Sequence, residues 1–212
     1  MKLLVATRNA GKVREIHEIL SGVPGLEVVG LAELDVPESP EEDDVEAFET
    51  FEENALAKAR YFAAKTGLAA LADDSGMCVD ALGGAPGVRS RRFALVDEAR
   101  GERQDQANNR HLVQLLANVP DELRTARYVC AVAVAWPGGD ELVRTGTCEG
   151  VVLREPRGAG GFGYDPLFCI ADEARTFGEI AAGRKHEISH RGRALRAIAE
   201  ALAGVDESEG GA

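Results

Sequence analysis

The chain has 212 residues, a length typical of one large α/β domain rather than two average ones. Its formal net charge of −12 argues against a nucleic-acid polymer as partner, because such partners need a basic surface. It has no run of about 18 apolar residues and no charged segment followed by an apolar one at its start, so we expect neither a membrane span nor a signal peptide.

The first third of the chain predicts alternating strands and helices. The elements, in chain order, are a strand at 2–6, a helix at 12–21, a strand at 26–30, a polar loop at 35–45, a helix at 47–66 that ends at Gly67, and a strand at 68–72. Two adjacent carboxylates, Asp73 and Asp74, follow the last strand, and Ser75-Gly76 predicts a turn directly after them. Paired carboxylates at a strand end suit a divalent cation or a general base, although a plain polar turn has the same pattern.

The rest of the chain predicts fewer and longer elements. They are a glycine-rich loop to about residue 88, a helix at 105–118, a strand at 128–136, a hairpin turn at Gly138-Gly139, one or two strands over 141–153, and a helix at 193–202. Ser189 is a candidate N-cap for that last helix. We expect residues 1–204 to form a single two-lobed domain and 205–212 to be a disordered tail.

Two loops predict ligand contacts, the first to an anion and the second to a nucleobase. Between the first strand and helix, Thr7 to Lys12 places a lysine where backbone N–H groups attract anions, although a capped turn would look the same. The segment 158–166 contains four glycines with Phe162 and Tyr164, so its backbone can approach a ligand and its rings can stack on a base. The alternative for this segment is a hairpin or bulge that buries both rings.

The positions of the acidic residues and of the cysteines carry two further predictions. Eleven of the 36 acidic residues lie between Glu33 and Glu53, where there is no Lys or Arg, so the remainder of the chain is nearly neutral. This run predicts a solvated acidic surface or, more specifically, a magnesium site that uses one or two of its carboxylates. The four cysteines are widely spaced without a zinc pattern, which is typical of free thiols in a cytoplasmic protein.

Six motifs in order give the chain a resemblance to a known family. They are Thr7-Arg-Asn-Ala-Gly-Lys12, Thr50-Phe-Glu-Glu-Asn-Ala55, Ala72-Asp-Asp-Ser-Gly76, Leu82-Gly-Gly-Ala-Pro-Gly87, Gly161-Phe-Gly-Tyr-Asp-Pro166 and Ser189-His-Arg-Gly192. With these motifs the chain resembles the inosine triphosphate pyrophosphatases, or dITP/XTP pyrophosphatases, from Leu3 to about Leu202. The resemblance implies an α/β fold in which a long mixed β-sheet with flanking helices forms two lobes around a central active-site cleft.

The resemblance also implies a reaction and its residues. The reaction is hydrolysis of non-canonical purine nucleoside triphosphates (ITP, dITP, XTP) to a monophosphate and pyrophosphate, with Mg²⁺ as cofactor, in a cytoplasmic homodimer. Asp74 is implied as proton acceptor and metal ligand, and Glu46 as a second ligand, with Glu49 and Glu53 as alternatives one helical turn apart. The implied substrate-binding residues are Thr7, Arg8, Asn9, Ala10, Gly11, Lys12, Ser75, Phe162, Gly163, Tyr164, Asp165, Lys185, His190 and Arg191.

Two other functions remain open at the level of sequence. A Maf-type nucleotide pyrophosphatase, which acts on modified or pyrimidine nucleotides, has an opening loop richer in serine and arginine than Thr7–Lys12. A non-catalytic nucleotide-binding module would not need Asp74, Glu46 and Lys12 together. A pyrophosphate-release assay with Mg²⁺ and a panel of nucleotides separates these functions.

Overall fold

A computed structural model describes residues 1–95 and 103–206 of the chain. The strands are β1 (Lys2–Val5), β2 (Glu27–Gly30), β3 (Ala69–Val79), β4 (Thr125–Ala135), β5 (Glu141–Val152) and β6 (Phe168–Ile170). The α-helices are α1 (Ala10–Leu20), α2 (Phe51–Thr66), α3 (Gln104–Leu115), α4 (Ala182–Ile188) and α5 (His190–Asp206). No described helix is long and apolar enough to cross a membrane.

The six strands form one mixed sheet in the order β2-β1-β3-β4-β5-β6. Strand β1 pairs in parallel with β2, in the register Leu3 to Val28, and with β3, in the register Leu4 to Ala70. The edge strand β6 pairs antiparallel with β5, with Val151 opposite Cys169. This arrangement confirms the predicted α/β class and the mixed sheet with flanking helices.

The described chain divides into two compact units, each with an apolar core of its own. Unit 1 contains residues 1–74, 130–146 and the C-terminal part from His190. Its core joins β1, β3 and β4 to α1 and α5 through Leu3, Ile16, Leu71, Val132 and Leu195. Unit 2 contains residues 75–129 and 147–189, and its core includes Met77, Leu112, Tyr164, Phe168 and Phe177.

Strand β3 corrects the predicted turn at Ser75-Gly76. The strand does not end at residue 72 but continues through both aspartates to Val79. Gly76 is needed for a close approach and not for a turn, because a Cβ atom there would collide with the carbonyl oxygen of Gly87 and the hydroxyl of Ser90. The predicted turn was wrong because a Ser-Gly pair in the sequence does not reveal that Gly76 contacts residues more than ten positions away.

Helix α2 begins four residues later than predicted and ends where predicted. Thr50 is its N-cap and accepts a hydrogen bond from the N–H of Glu53 at 3.2 Å. Residues 47–49 are not helical, because the side chain of Asn54 binds both the N–H and the carbonyl oxygen of Phe48. At the other end Gly67 has φ 69°, which confirms its predicted role at the helix C-terminus.

Several other boundaries differ from the predicted ones. Helix α3 ends three residues early, because the chain turns at Leu116, and the polar loop at 35–45 contains a 3-10 turn at Pro40–Asp44. The sequence did not reveal β6 or α4, which are only 3 and 7 residues long. The hairpin at Gly138-Gly139 is confirmed, with Gly139 at φ 99°. Helix α5 is described to Asp206, and residues 207–212 of the predicted tail lie outside the described residues.

Candidate active site

The first loop of unit 1 is organised by Asn9, the N-cap of α1. Its Oδ1 atom accepts hydrogen bonds from the N–H groups of Gly11 and Lys12 at 2.9 and 3.2 Å. The N–H of Asn9 in turn donates to the hydroxyl of Thr7 at 3.3 Å. The cap therefore fixes the start of the helix and brings Lys12 into its first turn, where no acidic residue is present to balance the charge.

Asp73 supplies the carboxylate that balances Lys12. Its side chain is fully buried, and its Oδ2 atom lies 3.0 Å from Lys12 Nζ and 3.1 Å from Arg191 Nε. Burial alone would raise the pKa of Asp73, but Lys12 and Arg191 outweigh it and hold that pKa well below the usual range. Arg191 also pairs with Glu15 of α1, so one buried network joins α1, β3 and the start of α5.

Asp74 has different neighbours from Asp73. Its Oδ2 atom accepts a hydrogen bond from Asn54 Nδ2 of α2 at 3.0 Å. Burial raises the pKa of Asp74, and the nearby Glu46 raises it further, while Lys12 and Lys58 act in the opposite direction. A buried carboxylate with a raised pKa that lies within the field of two lysines is suited to accept a proton next to an anionic ligand.

Lys58 links Asp73 to the acidic segment. Its ammonium group donates to the backbone carbonyl oxygen of Asp73 at 2.8 Å and forms an ion pair with Glu46. Burial would raise the pKa of Glu46, but Lys58 outweighs burial and lowers it, so the carboxylate is charged at neutral pH. Glu49 is exposed, and Glu53 accepts a hydrogen bond from the hydroxyl of Thr50 at 2.7 Å.

Arg8 is held by the same acidic segment. Its guanidinium makes a two-pronged contact with Glu42, at 2.7 and 2.8 Å, and a third bond of 3.0 Å to the carbonyl oxygen of Pro37. The Arg8–Glu42 pair therefore connects the first loop to the segment that carries Glu46.

In unit 2, the glycine-rich segment places one ring in the core and leaves the other partly exposed. Tyr164 is buried and donates a hydrogen bond to the carbonyl oxygen of Ser90 at 2.8 Å, whereas Phe162 is half-buried. The carboxylate of Asp165 accepts from the N–H of Phe162 at 2.9 Å and pairs with Lys185 at 2.8 Å. Lys185 Nζ lies 4.7 Å from the centre of the Phe162 ring, within the range of a cation–π contact.

Gly161 and Gly163 give the segment its local shape. They have φ values of 74° and 62°, which side chains rarely adopt. A Cβ atom at Gly161 would also collide with the carboxylate of Asp165. The backbone conformation therefore favours glycine at both positions, and the approach of the Asp165 carboxylate requires it at Gly161 as well.

Comparison with known proteins decides the family. The model of the Ham1 family matches residues 3–201, which is nearly the whole chain. This chain belongs to the Ham1 family. The match confirms the resemblance predicted from the six motifs.

Individual Ham1-family proteins are similar over almost their full lengths. The dITP/XTP pyrophosphatase of Desulforamulus reducens is 49% identical over 203 residues, covering 95% of this chain and 96% of that protein. The dITP/XTP pyrophosphatase of Symbiobacterium thermophilum is 50% identical, covering 95% and 94%. The structure of a HAM1 protein from Coxiella burnetii has a TM-score of 0.82 at 35% identity and covers 96% of this chain and 99% of that one.

The carboxylates of unit 1 fit a hard divalent cation in part. Asp74 and Glu46 offer oxygen ligands and lie close enough for Glu46 to raise the pKa of Asp74. Within the described residues, no group of three or more His, Cys, Asp or Glu side chains could hold a metal ion. Two carboxylates are nevertheless enough for Mg²⁺, which usually takes its other ligands from water and from phosphate oxygens.

Several residues of this Ham1-family site carry contacts that the sequence did not assign. Asp73, Glu15, Asn54 and Lys58 all engage predicted site residues in unit 1. Asn54 and Lys58 lie one turn apart on α2, so a shared helix face was a usable signal for them. No local pattern connects Asp73 to Lys12 and Arg191, which are 61 and 118 residues distant in sequence.

Proposed function

We propose that this Ham1-family chain hydrolyses ITP, dITP and XTP at the anhydride between the α and β phosphates, and releases the nucleoside monophosphate and pyrophosphate. The observation that carries the proposal is Asp74: a buried carboxylate of raised pKa, held by Asn54 and surrounded by Lys12, Lys58 and Glu46. The names of the similar proteins agree with this reaction. The proposed role of such an enzyme is to remove non-canonical purine nucleotides from the nucleotide pool.

The proposed phosphate-binding residues lie in the first loop and beside Asp74. They are Thr7, Arg8, Asn9, Ala10, Gly11, Lys12 and Ser75. A triphosphate carries about four negative charges, so its binding depends on cations held in place before it arrives. Lys12 meets this need because Asp73 fixes its ammonium group at 3.0 Å.

Mg²⁺ is the proposed cofactor, with Asp74 and Glu46 as its ligands. Bound there, it would supply positive charge against the phosphates and lower the pKa of a water molecule. Asp74 would take a proton from the attacking water, and the pair of electrons of the broken anhydride bond would leave with pyrophosphate. Burial raises the pKa of Asp74, which makes its carboxylate a better proton acceptor than an exposed one.

The proposed base-binding residues combine one stacking ring with polar groups. Phe162 would stack on the purine, for which a contribution of roughly 1–3 kcal/mol is usual. The polar set is Gly163, Tyr164, Asp165, Lys185, His190 and Arg191. Arg191 would offer a keto oxygen a guanidinium whose orientation is already fixed by Asp73 and Glu15.

Steady-state kinetics with a panel of nucleotides test this function. We expect high kcat/KM for ITP, dITP and XTP, and low values for ATP, CTP and UTP. Adenine has an amino group where hypoxanthine has a keto oxygen, and a site of fixed donors rejects such an analogue by up to roughly 10⁴–10⁵. Equal kcat/KM for ITP and ATP would contradict the base assignment, and release of orthophosphate instead of pyrophosphate would contradict the reaction.

Assembly and compartment complete the proposal. We propose a homodimer, since two-fold dimers are the commonest soluble assembly and the resemblance implies one. Light scattering at micromolar concentration should give twice the mass of the chain, and the mass of one chain would contradict it. All four cysteines, at positions 78, 130, 148 and 169, are free thiols, which supports a reducing, cytoplasmic environment.

A further inference from the structure

Two side chains of helix α3 bind Gly163 in the loop that carries Phe162. The carboxylate of Asp105 accepts a hydrogen bond from the N–H of Gly163 at 2.9 Å. The side-chain amide of Asn109 donates to the carbonyl oxygen of the same glycine at 3.0 Å. Both backbone groups of one residue are therefore bound by side chains of one helix.

The spacing of the two side chains explains the double contact. Asp105 and Asn109 are four residues apart, so they lie one above the other on the same face of α3. Gly163 has φ 62°, and a Cβ atom there would meet nothing within 4 Å. The backbone conformation, and not a lack of space, is what this residue contributes, and the two contacts from α3 stabilise it.

Fixing Gly163 limits the orientation of its neighbours. Tyr164 on one side is anchored in the core by its bond to Ser90. Phe162 on the other side has a half-buried ring that lies beside Lys185. Asp105 holds the peptide group that joins Phe162 to Gly163, and this peptide sets the direction in which the Phe162 side chain leaves the backbone.

Of the two polar atoms in the Asn109 side chain, Nδ2 binds Gly163, whereas Oδ1 is buried and has no partner among the described residues. A buried acceptor without a partner is destabilising, and an apolar side chain at this position would remove that cost. Asn109 thus favours the geometry of the loop at the expense of helix packing, a pattern typical of functional positions.

We propose that Asp105 and Asn109 are positioning residues for purine binding, which hold Gly163 so that Phe162 presents its ring to the base. The inference rests on the proposed function, since it requires the base to stack on Phe162. Neither side chain needs to touch the nucleotide. Their removal should weaken the binding of ligands that contain a purine and leave the binding of phosphate chains unchanged.

Calorimetric titration of the full chain with IMP and, separately, with inorganic tripolyphosphate tests the inference. We expect Asp105→Ala and Asn109→Ala each to weaken IMP binding on the order of tenfold, the size of a lost base stack. Binding of tripolyphosphate should stay within about twofold of wild type, because it has no base to stack. In turnover of ITP, the loss should appear in KM more than in kcat.

Two control variants separate positioning from a loss of structure. Asp105→Asn removes the charge but keeps an oxygen that can accept from Gly163, so it should restore most of the IMP affinity. Gln114→Ala removes an exposed polar side chain of α3 that has no side-chain bond in the described chain, and should change nothing. The melting temperature of Asn109→Ala should change little, because the loss of the bond to Gly163 is offset by the removal of an unpaired buried acceptor.

Two kinds of result would overturn the inference, and a third would contradict the proposed function on which it rests. If both alanine variants bind IMP within about twofold of wild type, instead of the expected tenfold more weakly, α3 does not position the Phe162 ring. Equal weakening for IMP and tripolyphosphate, or a large drop in melting temperature, shows a structural role only. Failure of the wild-type chain to bind IMP or to cleave ITP contradicts the proposed function itself, before any variant is compared.

Discussion

The two units stabilise their candidate site residues by different means. In unit 1 the polar groups are fixed by buried charge, with Asp73 between Lys12 and Arg191, and Arg191 between Asp73 and Glu15. In unit 2 the aromatic segment is fixed by its backbone, through glycines at positive φ and side chains that bind peptide groups. Charge networks suit the binding of phosphates, and a shaped backbone suits the flat face of a base. Variants in the two units should therefore fail in different ways.

Asp74→Asn should have the largest effect of all on catalysis. The substitution keeps the size of the side chain and its contact with Asn54, but removes the charge that we propose accepts a proton and binds metal. We expect kcat to fall by roughly 10²–10⁴, the usual contribution of a general base, for every substrate alike. Circular dichroism should show an unchanged fold. A kcat above about a tenth of wild type, a loss below 1.4 kcal/mol, would contradict the role of Asp74.

Asp73→Asn should act on stability first. It leaves Lys12 and Arg191 without their shared carboxylate in a buried place, a change that usually costs about 3–5 kcal/mol. The free energy of unfolding, measured with urea, should fall by that amount, whereas Asp74→Asn should change it little. Comparable stability of the two variants would show that the network of Asp73 does not support unit 1.

Phe162→Ala should discriminate between substrates by their base. We expect a loss of about 1–3 kcal/mol in the binding of ITP and XTP, seen mainly in KM. The half-buried position of the ring predicts little change in stability. Leu123→Ala removes an exposed apolar side chain of unit 2 as a matched control. If kcat falls with KM unchanged, Phe162 does not act through ground-state binding of the base.

Glu42→Gln should have the smallest effect. The Arg8–Glu42 pair is partly exposed, and such pairs contribute about 0.2–1 kcal/mol. The hydrogen bond from Arg8 lowers the pKa of Glu42, so its contribution is present above the unfolded pKa of about 4.3 and is lost as the pH falls below it. The difference in melting temperature between wild type and variant should therefore shrink between pH 6 and about pH 3. A difference that grows in acid would contradict this account.

The parts of the molecule that were predictable from sequence are the local ones. Apolar runs gave β1, β2 and most of β4, and Gly67 marked the end of α2, because each pattern depends on neighbouring residues. The course of β3 was not predictable, since Gly76 is required by its close contact with Gly87 and Ser90, which are distant in sequence. The motifs identified Asp74 and Lys12 as candidates, but the buried pairing of Asp73 arises only when distant helices meet the strand.

Because β3 continues through Asp73 and Asp74, these two residues project to opposite sides of the sheet. Asp73 accordingly meets α1 and α5, and Asp74 meets α2. Two chemically identical neighbours thus have different surroundings on the two sides of the sheet. Deletion of Ala72 would shift the register by one residue, so that Asp74 would take the place of Asp73 against Arg191 and Ser75 that of Asp74 beside Asn54. Length in this strand is therefore as constrained as residue identity.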